Sequence, residues 1–402
     1  MDRPTAIPRV ALFADTYHEL NGAARWAREL ESYARVRDYP FFCVRPQFKT
    51  DNASHPRDIL ELKRSNHSVR IDTQIYFDPR FLRFRPVVDQ AIANFRPDIV
   101  HVMSPAGDMS ILGVIAGVIA KVPIAMSWPT NFHEYLSHRI DIFASFIPGS
   151  LRKRFYGAIE AGILGITNRK MLSRANVILA PQGELVEMLT KLSKKPVTLM
   201  SRGVDCKAFS PEYRTRPLRD PKEIRIGYVG RLTPEKGLRL FETLDRDLPQ
   251  KHNGAVIRFC FVGEGNERTF LEPRLGPRAT FTGNLRGPDL SRAFANFDIF
   301  CFPSRTDTFG QVVQEAEASG VPPVVSDGGG PQYIIENGTT GFVAHSKKEF
   351  ADHIRKLIED QPLRIAMGQA CRAAMLPRTW DNVLGKVYDT YRSTIEEYKK
   401  EH

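Results

Sequence analysis

The chain has little cysteine. Its five cysteines, Cys43, Cys206, Cys260, Cys301 and Cys371, are odd in number and widely scattered, with no C-x-x-C pair. That excludes a disulfide framework and a cysteine zinc site, and it suits a reducing compartment. Long hydrophobic runs are also missing. No stretch approaches the roughly 18 uninterrupted apolar residues of a membrane span. The longest candidate, Met109 to Trp128, is interrupted by Gly113, Gly117, Lys121 and Pro123. It predicts a helix followed by a buried strand. At the N-terminus, Val10–Ala14 is too short for a signal-peptide core and reads as a first strand, so a cytoplasmic location is expected. There is no low-complexity tract and no short-period repeat, and no acidic or histidine constellation reads as a metal site. No metal and no cofactor are expected.

What remains is ordinary soluble-protein material: 402 residues, 42% hydrophobic and 26% charged. That length favours two domains. The net charge is +11, of which residues 1–200 carry +8. A basic first half suits an anionic partner such as lipid, nucleic acid or a phosphorylated substrate, though solubility alone explains it equally well.

Strand-like runs at 9–14, 40–44, 98–103, 123–128, 176–180 and 196–200 alternate with helix-like stretches such as 22–35 and 182–192. The scheme repeats at 224–229, 256–262, 298–302 and 322–326. Such alternation predicts parallel sheets covered on both faces, and its double occurrence predicts two doubly wound, Rossmann-like α/β domains. The first is expected at 1–200. A Pro-, Arg- and Asp-rich linker follows at 201–222, then a second domain at 223–379. From Trp380 to the C-terminus, Val383, Val387, Tyr391 and Ile395 recur at helical spacing and predict a long final helix, packing back toward the first domain. Open parallel sheets bind ligands at the carboxyl ends of their strands, so two such domains would face each other across a ligand cleft.

The most informative segment is PSRTDTFGQVVQEAEASGVPPVVSDGGGPQYIIENGTTGFV, residues 303–343. It reads as strand, loop, helix, strand, glycine loop, helix. Asp307 lies in the loop, Phe309 and Gly310 precede the helix, and Gln311, Val312 and Glu315 begin it. Free N–H groups at a helix start suit a phosphate or sugar hydroxyl, and a carboxylate one or two turns in can accept from paired ribose hydroxyls. Taken singly, Asp307 is an ordinary loop residue and Glu315 an ordinary solvated one. A second segment, GYVGRLTPEKGL (227–238), sets Arg231 and Lys236 five residues apart, a spacing that can grip a diphosphate leaving group.

Together these segments resemble the family-4 retaining glycosyltransferases of GT-B architecture. That family's signature is a carboxylate pair spaced E-x7-E, an A-x-G-x-P strand and a Gly-Gly turn. Here the first carboxylate is Asp307, one methylene shorter than the usual Glu. The resemblance implies that Glu315 holds the nucleotide ribose, Asp307 lies by the transferred sugar, and Arg231 and Lys236 bind the donor diphosphate. The donor would be a UDP- or GDP-hexose and the acceptor a hydroxyl. RGVDCKAF (202–209) is similar to the family's interdomain stretch. FVGEGNER (261–268) is similar to its V-G-x-G turn, which puts Gly263 and Glu264 by the base. The wording TDTFGQVVQEA resembles the glycolipid-building subgroup, including mannosyltransferases.

In the first half, ADTYHELNGAAR (14–25) joins a strand to a helix. Asn21-Gly22 permits close backbone approach to a ligand, and in the family this loop closes over the donor. Asp15 in that loop and His101 at the end of DIVHV are the acceptor-side candidates, although a lone His at a strand end is commonly structural. SWPTNFHEY (127–135) departs from the family: Pro129 stands where a sugar-contacting His is common, so either His133 four residues on substitutes for it or the His serves only where a specific sugar demands it. Arg152, Lys153, Arg154, Arg169, Lys170 and Arg174 bracket an apolar helical core at 149–175, which suits either an anionic membrane surface or a buried helix with charged ends. The resulting expectation is a metal-independent retaining hexosyltransferase whose acceptor extends to membrane lipids. A nucleotide-sugar 2-epimerase is the enzymatic alternative. A nucleic-acid binder is disfavoured, because the cations are not interleaved with aromatics.

Overall fold

The computed structural model describes residues 7–19, 22–47, 58–70, 76–105, 107–128, 170–218, 220, 222–307 and 309–402. The chain divides into two compact units. Unit 1 comprises Met1–Ser201 with Val383–His402, and unit 2 comprises Arg202–Asn382.

Unit 1 holds a seven-stranded sheet. Its strands are β1 (Val10–Phe13), β2 (Phe41–Pro46), β3 (Ile59–Leu62), β6 (Ile99–Val102), β7 (Ile124–Ser127), β8 (Val177–Ala180) and β9 (Val197–Leu199). A separate short antiparallel pair is formed by β4 (Val69–Arg70) and β5 (Tyr76–Phe77). The sheet order is β3-β2-β1-β6-β7-β8-β9, parallel throughout. Every residue of β1, β6, β7 and β8 is buried, as a sheet covered on both faces requires. Helix Gly22–Val36 buries Trp26, Ala27 and Leu30 on one face. Helix Asp108–Ala120 is apolar almost all round. A Cβ at Gly113 would come 2.7 Å from the side chains of Phe13 and Val102, and one at Gly117 would come 2.7 Å from Ile124. The glycines that interrupt the long apolar run therefore let the helix lie flush on the sheet.

Unit 2 holds a second sheet, built from β10 (Glu223–Val229), β11 (Lys251–His252), β12 (Ala255–Val262), β13 (Ala279–Phe281), β14 (Ile299–Phe302), β15 (Pro323–Ser326) and β16 (Phe342–Ala344). Its order is β11-β12-β10-β14-β15-β16, with β13 also on β12. Only β11 is antiparallel to its neighbour. The core is aromatic: Phe261 stacks on Phe281 with centroids 4.6 Å apart and meets Phe241 edge-on at 4.6 Å. Each ring fully withdrawn from water contributes roughly 2–3 kcal/mol.

The predicted linker at 201–222 is integrated into unit 2 rather than running free. Arg214 donates to the carbonyls of Ala295 and Phe297 at 3.0 and 2.8 Å and pairs with Asp298 at 2.6 Å. Arg216 reaches the other oxygen of Asp298 at 2.6 Å. The arginines that look like linker polarity in the sequence are thus anchors. The final helix, Trp380–Glu401, begins in unit 2 and belongs to unit 1 from Val383 onward. Among the described residues, no helix is long and apolar enough to cross a membrane.

Candidate functional site

Each sheet reverses its strand order at a central strand, β1 in the first and β10 in the second. Loops leaving the carboxyl ends at such a switch point diverge and open a crevice, so they are where a ligand fits. In unit 2 these loops are 230–237 after β10 and 303–310 after β14. They carry Arg231, Lys236 and Asp307.

Lys236 stands on a short turn, Pro234–Lys236, closed by Gly237 at φ +69°. Its Nζ donates to both carboxylate oxygens of Asp307, each at 2.8 Å. The Lys236 side chain is 12% exposed and that of Asp307 25%. Arg231, by contrast, is 65% exposed, and Glu235 lies 3.6 Å from it. Burial raises the pKa of Glu235, but the Thr233 hydroxyl, a backbone amide and the two cations outweigh it and hold the carboxyl below its ordinary value. Tyr228, at the end of β10, donates to the Arg231 carbonyl at 3.0 Å and stacks on Phe302. Strand packing thereby fixes the start of the cation loop.

Glycines set the remaining loops. Gly263 has φ +134°, and a Cβ there would lie 2.0 Å from the Gly230 carbonyl. The backbones of 230–232 and 263–265 run together, with Leu232 N–H donating to Glu264 O at 2.9 Å. The Glu264 side chain pairs with Arg268 at 2.9 Å. Gly329 at φ +72° lies against the Asp307 carbonyl, which accepts from Gly330 N–H at 2.7 Å. Asp327, preceding those glycines, accepts from Arg305 and lies 3.1 Å from His345 Nδ1.

Gly310 at φ +86° caps helix Gln311–Ala318 without a side-chain hydrogen bond. Phe309 is buried under the Arg202 guanidinium, 5.2 Å from its ring centre. Gln311 donates to Gly203 O at 2.9 Å and Gln314 to Arg202 O at 3.1 Å, tying the RGVD segment to this helix. Val312 is half-buried, and Glu315 in the second turn is buried at 4% exposure. Glu317 on the same helix is fully buried. Burial raises its carboxyl to about 8, although the Thr340 hydroxyl and Arg378 act the other way.

The switch point of unit 1 is different. Asp15 is buried and turned inward. It accepts from Met109 N–H at 2.9 Å, Ser110 N–H at 3.1 Å and the Ser110 hydroxyl at 2.5 Å, which caps helix Asp108–Ala120. Burial first, then the neighbouring Asp108, raises its carboxyl to about 6 against the pull of Ser110 and Arg64. Arg64 in turn donates to both oxygens of Asp108 at 3.0 and 2.9 Å. His101 is fully buried, with Nδ1 2.5 Å from Tyr391 Oη and Nε2 2.8 Å from Ser127 Oγ. Burial lowers its pKa to about 3. The acceptor-side expectations for Asp15 and His101 are therefore corrected: both side chains are buried and bonded to groups inside the protein. Tyr17 of the same loop donates to Glu31 at 2.6 Å beneath the Arg45 guanidinium. Gly22 begins helix Gly22–Val36. Asn21, Pro129, His133 and the 149–169 part of the basic stretch lie outside the described residues.

Residues 209–374 match the family of glycosyl transferases, group 1. A "GDP-mannose-dependent alpha-mannosyltransferase" of Mycobacterium tuberculosis is 30% identical over 399 residues, 96% of each chain. The "sulfoquinovosyl transferase" of Arabidopsis thaliana is 30% identical over 341 residues, covering 80% of this chain but only 62% of the plant protein. The chain belongs to the group 1 glycosyl transferases. Its fold is that of the GT-B enzymes, as the sucrose-phosphate synthase of Thermosynechococcus elongatus also shows: TM-score 0.66 at 18% identity, over 96% of this chain and 99% of the other.

Within this glycosyl transferase, the structure brings Lys236 and Asp307 together and sets Arg231 on the same loop as Lys236. It adds residues that sequence reasoning passed over: Tyr228 beneath the cation loop, Arg202 against Phe309, and Gln314 on the RGVD segment. A Tyr at a strand end and a second Gln in QVVQE are the only signals, and both are common. Against the expectation of no acidic metal pattern, the sequence does hold one D-x-D triplet, Asp245-Arg246-Asp247, in which Asp245 binds Arg278 and Asp247 binds Arg246, at 3.0 and 2.7 Å.

Proposed function

We propose that this glycosyl transferase is a retaining hexosyltransferase that uses a nucleoside-diphosphate hexose, with GDP-mannose the first candidate. The observation that carries the reading is the placement of Lys236, Arg231 and Asp307 on adjoining loops at the switch point of unit 2. The mannosyltransferase relatives, 32% and 30% identical, support the choice of sugar and nucleotide.

In this reading Lys236 and Arg231 hold the diphosphate and stabilise the charge it gains as the C1–O bond to phosphate breaks. The N–H groups at Gly310–Val312 add positive potential from the helix start. Glu315 accepts from the ribose hydroxyls, and Asp307 from the hexose. The acceptor oxygen forms the new bond to C1 on the face the phosphate leaves, and its proton passes to the departing phosphate oxygen. The two side-chain cations supply the charge that a metal ion supplies in other transferases, so no metal is required. The acceptor is a hydroxyl, and the basic balance of residues 1–200 favours a membrane glycolipid.

The test is mass spectrometry of the purified protein with a panel of GDP- and UDP-sugars and lipid or soluble acceptors, with and without EDTA. Transfer from GDP-mannose with retained anomeric configuration, unaffected by EDTA, is expected. An epimerised donor formed without acceptor would instead indicate a 2-epimerase.

A further inference from the structure

Lys236 and Arg231 belong to one motif but meet different surroundings. Arg231 is 65% exposed, and Glu235 stands 3.6 Å from it. Lys236 is 12% exposed, and both oxygens of Asp307 lie 2.8 Å from its ammonium. The contact is built by the backbone. A Cβ at Gly237 would lie 3.0 Å from the Pro303 carbonyl, so the lysine turn is pressed against the start of the Asp307 loop. Thr306 Oγ1 lies 3.4 Å from Glu235 O, a second tie between the two loops. The Asp307 carbonyl is gripped from the other side by Gly330 N–H at 2.7 Å, and a Cβ at Gly329 would lie 2.5 Å from that carbonyl. With its backbone held on both sides, Asp307 leaves Lys236 by side-chain rotation, and its short stem limits how far it travels.

Resting on the donor reading above, we propose that Asp307 is an internal rival of the diphosphate for Lys236, and that the exchange between them depends on the sugar. A phosphate placed on Lys236 brings like charge up to the Asp307 carboxylate, which raises the cost of leaving it there. When the intact donor binds, the displaced carboxylate gains new hydrogen bonds from the hexose hydroxyls. When only the nucleoside diphosphate is present, no hydroxyl replaces the lost ammonium. Asp307 therefore returns to Lys236 after transfer and weakens the hold on the product. The single device favours donor over spent nucleotide and speeds product release.

Calorimetric titration of the full chain with GDP, with UDP and with GDP-mannose as the intact nucleotide sugar tests this, using wild type, Asp307→Asn, Lys236→Ala and the double variant. Asp307→Asn is expected to bind the bare diphosphate about five- to tenfold more tightly, the effect of releasing one partly buried ion pair. The intact nucleotide sugar is expected to gain less. The gain should vanish when Lys236 is already Ala. Asp307→Ser must show the same ordering, which covers the case in which the Asn variant melts early by circular dichroism. If wild type binds GDP or UDP and Asp307→Asn binds it equally or more weakly, the rivalry is overturned and the donor reading stands. An equal gain in the Lys236→Ala background overturns it too, because the effect then bypasses the lysine. If neither nucleotide binds wild type at millimolar concentration, both the rivalry and the donor reading fail.

Discussion

In unit 1 the carboxylate that follows the central strand, Asp15, is turned into the protein and bonded to two backbone amides and a hydroxyl. In unit 2 the carboxylate that follows the neighbour of the central strand, Asp307, is a quarter exposed and bonded to a side-chain cation. Both sheets have the same parallel logic, and both carboxylates stand at the carboxyl edge where strand order reverses. The difference is in the partners. A carboxylate on backbone amides completes a helix and is held there by donors that cannot leave. A carboxylate on a lysine can change partners, because a phosphate can replace it. Topology marks where a ligand can bind, and only the hydrogen-bond inventory tells a functional edge from a structural one.

The largest expected effect comes from removing the cations of unit 2. Lys236→Ala, and separately Arg231→Ala, should lower turnover by about 10²–10³, the scale of one lost charge-assisted contact at a transition state. The folding transition should move little, because Arg231 is largely exposed and Lys236 touches solvent. Turnover within about threefold of wild type would remove the residue from the diphosphate grip.

Breaking the other side of the comparison should disturb stability instead. Asp15→Ala leaves Met109 N–H, Ser110 N–H and the Ser110 hydroxyl without an acceptor in a buried site. The expected loss is about 2–4 kcal/mol from unit 1, read as a lower urea midpoint at unchanged slope. Nucleotide affinity should stay as in wild type. A variant with wild-type stability and a raised acceptor KM would restore Asp15 to the substrate side.

The strand alternation was legible because parallel strands buried on both faces must be continuous apolar runs. The ten strands expected from those runs are all present, within one or two residues at their ends. Strands β3, β4, β5, β11, β13 and β16 have no counterpart among those runs: each is only two to four residues long, too short to show a period. The cation spacing of Arg231 and Lys236 and the carboxylate Asp307 were legible because charge chemistry fixes residue type. Burial was not. Nothing in DIVHV separates a ligand-facing His101 from one bonded to Tyr391, 290 residues away. The linker arginines misled for the same reason, since their acceptors at Ala295, Phe297 and Asp298 are remote in sequence.

The smallest expected effect sharpens the comparison within unit 2, where Glu315 and Glu317 lie two residues apart on the site helix. Glu317 is fully buried and its carboxyl is raised from an ordinary 4.5 to about 8 by loss of solvation. Between those values the unfolded chain has released its proton while the folded chain retains it. Stability therefore falls as pH rises from about 4.5 to about 8, and the full cost is in place above that. The direction is opposite to that of an ion-paired carboxylate, whose contribution is lost on acidification. Glu317→Gln keeps the shape and removes the ionisation. The unit 2 thermal transition of this variant should lie above wild type at pH 8, and the gap should close as the pH falls to about 4, below the unfolded-chain value. A difference that is the same at both pH values would mean that Glu317 is ionised in the fold and that the Thr340 hydroxyl and Arg378 compensate its burial.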